Sequence, residues 1–190
     1  LASGVLNETF EDVRYQPSGC LSRETLLESG LPLPEFDAVQ GSALVSAAYQ
    51  GTLFELSNIR LSDPAKGAEP VFQGYCLRCR LGFPLPAELS SEAAEDALEL
   101  LPDAAAEALR RLSELLGGGH VSFPAEDTVC LCVASERELL APDRRVMDVA
   151  VLRRRFAEEM GTVTQLIDTL LTLRPDVPGT ASADTKALSE

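Results

Sequence analysis

The fold is decided by Tyr49-Gln-Gly-Thr-Leu-Phe-Glu-Leu-Ser-Asn-Ile-Arg-Leu61 and by Val71-Phe-Gln-Gly-Tyr-Cys-Leu-Arg-Cys-Arg-Leu81, which begins nine residues later. Apolar and polar side chains alternate in both stretches, which is typical of half-buried strands. Asp63-Pro64 and Gly67 predict the loop between them. We therefore expect two antiparallel strands of one sheet, with one packed face and one solvated face.

The two predicted strands differ in regularity. The second has one apolar face and carries Arg78 and Arg80 on the other. In the first, the apolar side chains change face after Leu56, and a strand that keeps one face packed through such a change needs an extra residue. We predict a β-bulge near Ser57 and Asn58.

The rest of the chain predicts a further strand at 128–134, covered on both faces, a strand at 41–49, and several amphipathic helices. The helices are expected within 1–14, from Ser22 to Glu28, from Ser90 or Ser91 to Leu101, at 102–116 and at 148–173, the last of these bent at Gly161. The predicted fold class is α+β, a mostly antiparallel sheet with helices packed on one face, including a long C-terminal helix. Residues 1–175 are expected to form one domain and 176–190 a flexible tail.

Charge and length narrow the functional classes. The chain has 190 residues and a formal net charge of -14, so its surface repels nucleic acid unless basic residues gather on one face. The basic run Arg153–Arg155 is followed at once by Glu158 and Glu159, and no nucleic-acid partner is expected. The chain has neither a signal peptide nor an apolar run of about 18 residues that could cross a membrane. Because it begins with Leu1 rather than Met, we expect that a preceding segment has been removed.

The five cysteines favour a reducing compartment, because an odd number leaves at least one outside any intramolecular disulfide. Cys76 and Cys79 have the spacing of half a zinc or redox site, but a strand sends them to opposite faces. Cys130 and Cys132 share a face among aliphatic neighbours, where burial makes a thiol a poor nucleophile. All are expected to be packing residues, and neither a metal site nor a cofactor is predicted.

His120 is the only histidine, so a hydrolase of the usual kind would need it as the base. It follows Gly117–Gly119, and we expect it in a loop, where it could approach Asp127. No nucleophile motif accompanies it, so His120 and Asp127 stay candidates and no catalytic residue is predicted.

Several segments, in order and spacing, resemble one bacterial family. They are Tyr15-Gln-Pro17, Ser29, Phe36-Asp-Ala-Val-Gln-Gly41, Gly51-Thr-Leu-Phe-Glu-Leu-Ser57, Val71-Phe-Gln-Gly74, Leu98-Glu-Leu-Leu-Pro102, Val129 leading to Glu138-Leu-Leu140, and Gln165-Leu-Ile-Asp-Thr-Leu-Leu-Thr-Leu173. The family is domain of unknown function 3137. The resemblance implies a domain at the cytoplasmic face of the bacterial inner membrane, preceded by a transmembrane anchor that would end just before Leu1. It implies no activity and no functional residue.

Three functional hypotheses follow. The first is a non-enzymatic interaction or regulatory domain with protein partners at the membrane. The second is a small-molecule-binding module or weak hydrolase with a pocket near His120 and Asp127. The third is a membrane-surface lipid-binding module that would use Arg60, Arg78 and Arg80 as its basic patch.

Overall fold

The computed structural model describes residues 1–90, 102–142, 145 and 148–175. These residues form one six-stranded sheet in which every neighbouring pair is antiparallel, in the order β1-β2-β3-β4-β6-β5. The strands are β1 (Glu11–Gln16), β2 (Ala38–Tyr49), β3 (Thr52–Ser62), β4 (Phe72–Arg80), β5 (His120–Ala125) and β6 (Thr128–Ala134). The helices are α1 (Ala2–Thr9), α2 (Arg23–Leu27), α3 (Asp103–Leu116) and α4 (Val149–Leu171). The α+β fold with an antiparallel sheet and a long C-terminal helix is confirmed.

The central strands and the longer helices lie close to where the sequence predicts them. Ser22 caps α2, since its hydroxyl accepts a hydrogen bond from the Thr25 amide at 3.1 Å. Gly117 ends α3 in the left-handed conformation, with φ of 56°. The predicted helix of residues 91–101 and the predicted tail of residues 176–190 lie outside the described residues.

The helix predicted within residues 1–14 is wrong in its second half. The helix ends at Thr9, and Glu11–Gln16 form the edge strand β1, paired with β2. The helical spacing of Phe10 and Val13 misled because pairing along the free edge of β2 supplies backbone hydrogen bonds that override a weak local preference.

The predicted bulge at Ser57 and Asn58 is also wrong, because β3 pairs with β4 without interruption. The irregularity lies on the facing strand, where β2 has one more residue than β3 between Ser42 and Val45. Ala43, within that bulge, has a φ of 56°.

The change of apolar face in β3 arises because both faces of the sheet are covered at different places. One face, the helix-covered face, includes Phe54 and Leu56 and packs against α1, α3 and α4 in the larger core. The other face holds Ile59 and Leu61 and packs in a second core against Leu21, Leu26 and Phe36. The predicted solvated face is therefore solvated only in part, and α2 lies on it rather than with the other helices.

The segment 135–142 is fixed between the sheet and α4 by two polar side chains. The Asn58 amide accepts a hydrogen bond from the Leu139 N–H at 2.8 Å and donates to the Leu139 carbonyl at 2.9 Å. The Glu159 carboxylate accepts a hydrogen bond from the Leu140 N–H at 2.8 Å. Leu140, which has a φ of 55°, is thereby held in the larger core.

Within the described part of the chain, no helix has the length and apolar character needed to cross a membrane.

Candidate ligand-binding groove

A row of polar side chains crosses the part of the second sheet face that the Cys20–Phe36 segment leaves open. Residues directly opposite one another in an antiparallel sheet point to the same face. The register places four such residues side by side on successive strands: Arg14 on β1, Ser46 on β2, Glu55 on β3 and Arg78 on β4. The sequence positions of these four are far apart, and only the strand pairing brings them together.

A second row lies beside the first, nearer the hairpin that joins β2 and β3. Here Leu53 stands opposite Arg80. Leu53 is 53% exposed, which is unusual for a leucine in an inner strand. The two rows form the floor of a groove of about 860 Å³, which we call the arginine groove. Its lining comprises Asn7, Asp12, Val13, Arg14, Ser46, Ala47, Leu53, Phe54, Glu55, Arg78 and Arg80.

The arginine groove has more positive than negative side chains, whereas the whole chain has a negative net charge. Three arginines line it against two carboxylates, Asp12 and Glu55, whereas the chain carries a net charge of -14. Arg78 is engaged, because its Nη1 lies 3.5 Å from Glu55 Oε2. Arg14 and Arg80 are exposed, and among the described residues neither has an ion pair or a side-chain hydrogen bond. The groove thus presents two guanidinium groups available to an anion.

The predicted basic patch of Arg60, Arg78 and Arg80 differs from the arginine groove in one residue. Arg60 lies outside the arginine groove and donates a hydrogen bond from Nη2 to Gln73 Oε1 at 3.0 Å. Its place is taken by Arg14, which the predicted helix within residues 1–14 keeps apart from the strand arginines. The alternation of Val13 and Tyr15 with Arg14 is the period-2 signal that could have identified a strand there.

His120 and Asp127 are not brought together. His120 begins β5, opposite Cys132, so its predicted place in a loop is wrong. Asp127 lies in the turn after β5, where its carboxylate accepts a hydrogen bond from the Thr128 hydroxyl at 2.8 Å. Five intervening strand residues separate them by about 16 Å along the hairpin. The geometry gives no support to a shared catalytic pocket.

The cysteines pack as free thiols. Cys79 is buried in the larger core and Cys76 in the second core, on the two faces that the strand alternation predicts. Cys76 lies directly opposite Cys132. The interaction between the two thiols raises the pKa of Cys76 and lowers the pKa of Cys132. Burial raises the pKa of Cys79, and it raises the pKa of Cys130 to about 11.

Because the pKa values of these buried thiols are raised, we expect the protein to lose stability at alkaline pH. An unfolded cysteine ionises near its usual pKa of 9.0, whereas folded Cys79 and Cys130 keep their protons to higher pH. The contribution of these protonated thiols to the free energy of unfolding is fully present below pH 9. It is lost as the pH rises through the folded pKa, by at most about 1.4 kcal/mol per pH unit for each thiol. We expect urea unfolding to show a lower free energy of unfolding at pH 10.5 than at pH 8, and a smaller drop in Cys79→Val.

The matched control for that measurement is Cys20→Val, because Cys20 is only partly buried. Its effect on the drop between the two pH values should be smaller than that of Cys79→Val. An unchanged drop in Cys79→Val would show that the Cys79 proton is not linked to folding.

Comparison with known proteins gives no relative: no family model, no curated protein and no solved structure matches the chain. The resemblance to domain of unknown function 3137 therefore stays a prediction. The fold and the arginine groove carry the functional argument.

Proposed function

We propose that this chain is a non-enzymatic interaction domain that binds an anionic group of its partner in the arginine groove. The observation that carries the proposal is the pair of exposed, unpaired guanidinium groups of Arg14 and Arg80 on one concave face. Guanidinium groups bind carboxylates and phosphates through paired, charge-assisted hydrogen bonds, which are stronger than neutral ones.

The exposed Leu53 between these arginines supports a protein partner. Interfaces combine an apolar contact with a polar rim, and Leu53 supplies an apolar side chain within the charged groove. We further propose that the partner is met at the cytoplasmic face of a bacterial inner membrane. Support for this location comes only from the family resemblance.

Site-specific photo-crosslinking in cells that express the native full-length protein tests the proposal. A photoreactive amino acid at position 53 should give a crosslinked product, and the product should disappear when Arg14 and Arg80 are both replaced by Glu. The matched control is position 27, since Leu27 is 55% exposed and lies on α2 rather than in the groove. Equal products at both positions, no product at position 53, or a product that survives the charge reversal would contradict the proposal.

A further inference from the structure

We infer that the ligand of the arginine groove is an acidic peptide segment in an extended conformation, held by Arg14 and Arg80 through two carboxylates. This inference rests on the proposed function and specifies its ligand. It follows from the spacing of the two free arginines, from the ion pair that neutralises Arg78 beside Arg80 on β4, and from the exposed leucine.

The distance between Arg14 and Arg80 favours a ligand with two acidic groups. Arg14 lies on β1 and Arg80 on β4, with β2 and β3 between them. Three strand spacings of about 4.8 Å put the two backbones about 14 Å apart across the sheet, and Arg80 lies about 7 Å further along its strand, so the direct separation is about 16 Å. A single phosphate or carboxylate at one arginine leaves the other guanidinium without a partner.

An extended peptide matches that separation. Successive residues of an extended chain advance by about 3.3 Å, so two acidic residues four positions apart span about 13 Å, and the long arginine side chains can cover the remaining few ångströms. The side chains between the two carboxylates would pass over the middle of the groove floor. Leu53 is exposed there and can contact an apolar side chain of the peptide.

Arg78 is not counted as a ligand-binding group because Glu55 already neutralises it. Their ion pair at 3.5 Å lies in the same row as Arg14 and leaves the middle of the groove without a free charge. The two free guanidinium groups therefore lie at the two sides of the groove, with Asp12 two residues from Arg14 on β1, and this arrangement favours a ligand with separated acidic groups over one compact anion.

The charge of the whole chain favours a peptide over an anionic lipid surface. A membrane surface meets a large part of the protein, and a net charge of -14 repels it. A short peptide in the groove is affected mainly by nearby charges, because physiological salt screens exposed charges beyond about 8 Å. Locally the three arginines outnumber Asp12 and Glu55.

Fluorescence anisotropy with labelled peptides and the full 190-residue chain tests the inference. The probe is a peptide with two Glu residues four positions apart and a Leu between them, and its matched control has Gln in place of both Glu residues. We expect the Glu peptide to bind at least about tenfold more tightly than the Gln peptide, because two charge-assisted contacts are lost in the latter. Arg14→Ala and Arg80→Ala should each weaken binding by about tenfold.

Arg110→Ala is the charge-matched control, since Arg110 is exposed on α3 and pairs with Glu107. It should leave peptide binding within about twofold of the wild type, because distant exposed charges are screened. Circular dichroism of each variant checks that the fold is retained.

Several outcomes would overturn the inference. They are equal binding of the Glu and Gln peptides, binding of a peptide with one Glu as tightly as the peptide with two, and sedimentation with vesicles of anionic lipid without peptide binding. If crosslinking at position 53 depends on Arg14 and Arg80 but no acidic peptide binds, the ligand class is wrong and the proposed function stands. If crosslinking fails as well, both are wrong.

Discussion

Replacing Asn58 with Ala is expected to lower the free energy of unfolding by about 3 kcal/mol. The Asn58 side chain is buried and makes three hydrogen bonds, two with the Leu139 backbone and one to the Ser42 hydroxyl. Alanine leaves the Leu139 N–H and carbonyl without those partners, and each partly buried group left unpaired costs about 1–3 kcal/mol. A small cavity adds to the loss.

Urea unfolding followed by circular dichroism measures this change. Asn7→Ala is the matched control, because Asn7 is exposed and its side chain bonds only within α1, to the Ser3 carbonyl. The control should lose less than about 1 kcal/mol, as is usual for surface substitutions. Similar losses in the two variants would mean that Asn58 does not fix the 135–142 segment.

Replacing Glu159 with Ala is expected to cost about 3 kcal/mol as well. The Glu159 carboxylate accepts the Leu140 N–H hydrogen bond and lies 3.4 Å from Arg155 Nε and 3.5 Å from Arg137 Nη2. Its side chain is 11% exposed and that of Arg155 is 18% exposed. Removing one partner of such a largely buried pair leaves the other charge uncompensated, which is costlier than losing a surface pair.

Glu158→Ala is the matched control for this substitution, since Glu158 is the exposed neighbour on α4. Glu159→Ala and Asn58→Ala both remove contacts that hold the 135–142 segment. The double variant should therefore lose clearly less free energy of unfolding than the sum of the two single losses. Strict additivity of the two losses would show that the two side chains act on separate parts of the molecule.

Much of the fold can be predicted from the sequence because local signals and tertiary structure agree. Pro102 before α3, Gly117 after it and the apolar stripe between them identify that helix without reference to the sheet. The continuous apolar run of β6 likewise predicts a strand covered on both faces, and five of its seven residues, Thr128–Cys132, are buried.

The elements that the sequence does not predict become strands only by pairing with another strand. β1 becomes a strand by pairing with the free edge of β2, and β5 by pairing with β6. The bulge falls on β2 rather than β3, and β3 pairs with β4 without interruption. The hydrophobic pattern of a strand indicates that its apolar side chains change face. It does not indicate which strand of a pair contains the irregularity.

The arginine groove was predicted only in part for the same reason. Arg78 and Arg80 follow from the alternation within one strand, whereas Arg14 joins them through the register of three strand pairs. Arg60 is the remaining arginine on a predicted strand. Since β3 pairs with β4 without interruption, strict alternation places Arg60 on the same side as Phe54 and Leu56.

The most direct test of the arginine groove is an NMR titration that follows the side-chain Nε–Hε signals of the arginines as the two-Glu peptide is added. The account predicts saturable shifts of the Arg14 and Arg80 signals, with little change at Arg110 on α3. Unchanged Arg14 and Arg80 signals at saturating peptide, or equal shifts of all exposed arginines, would contradict it.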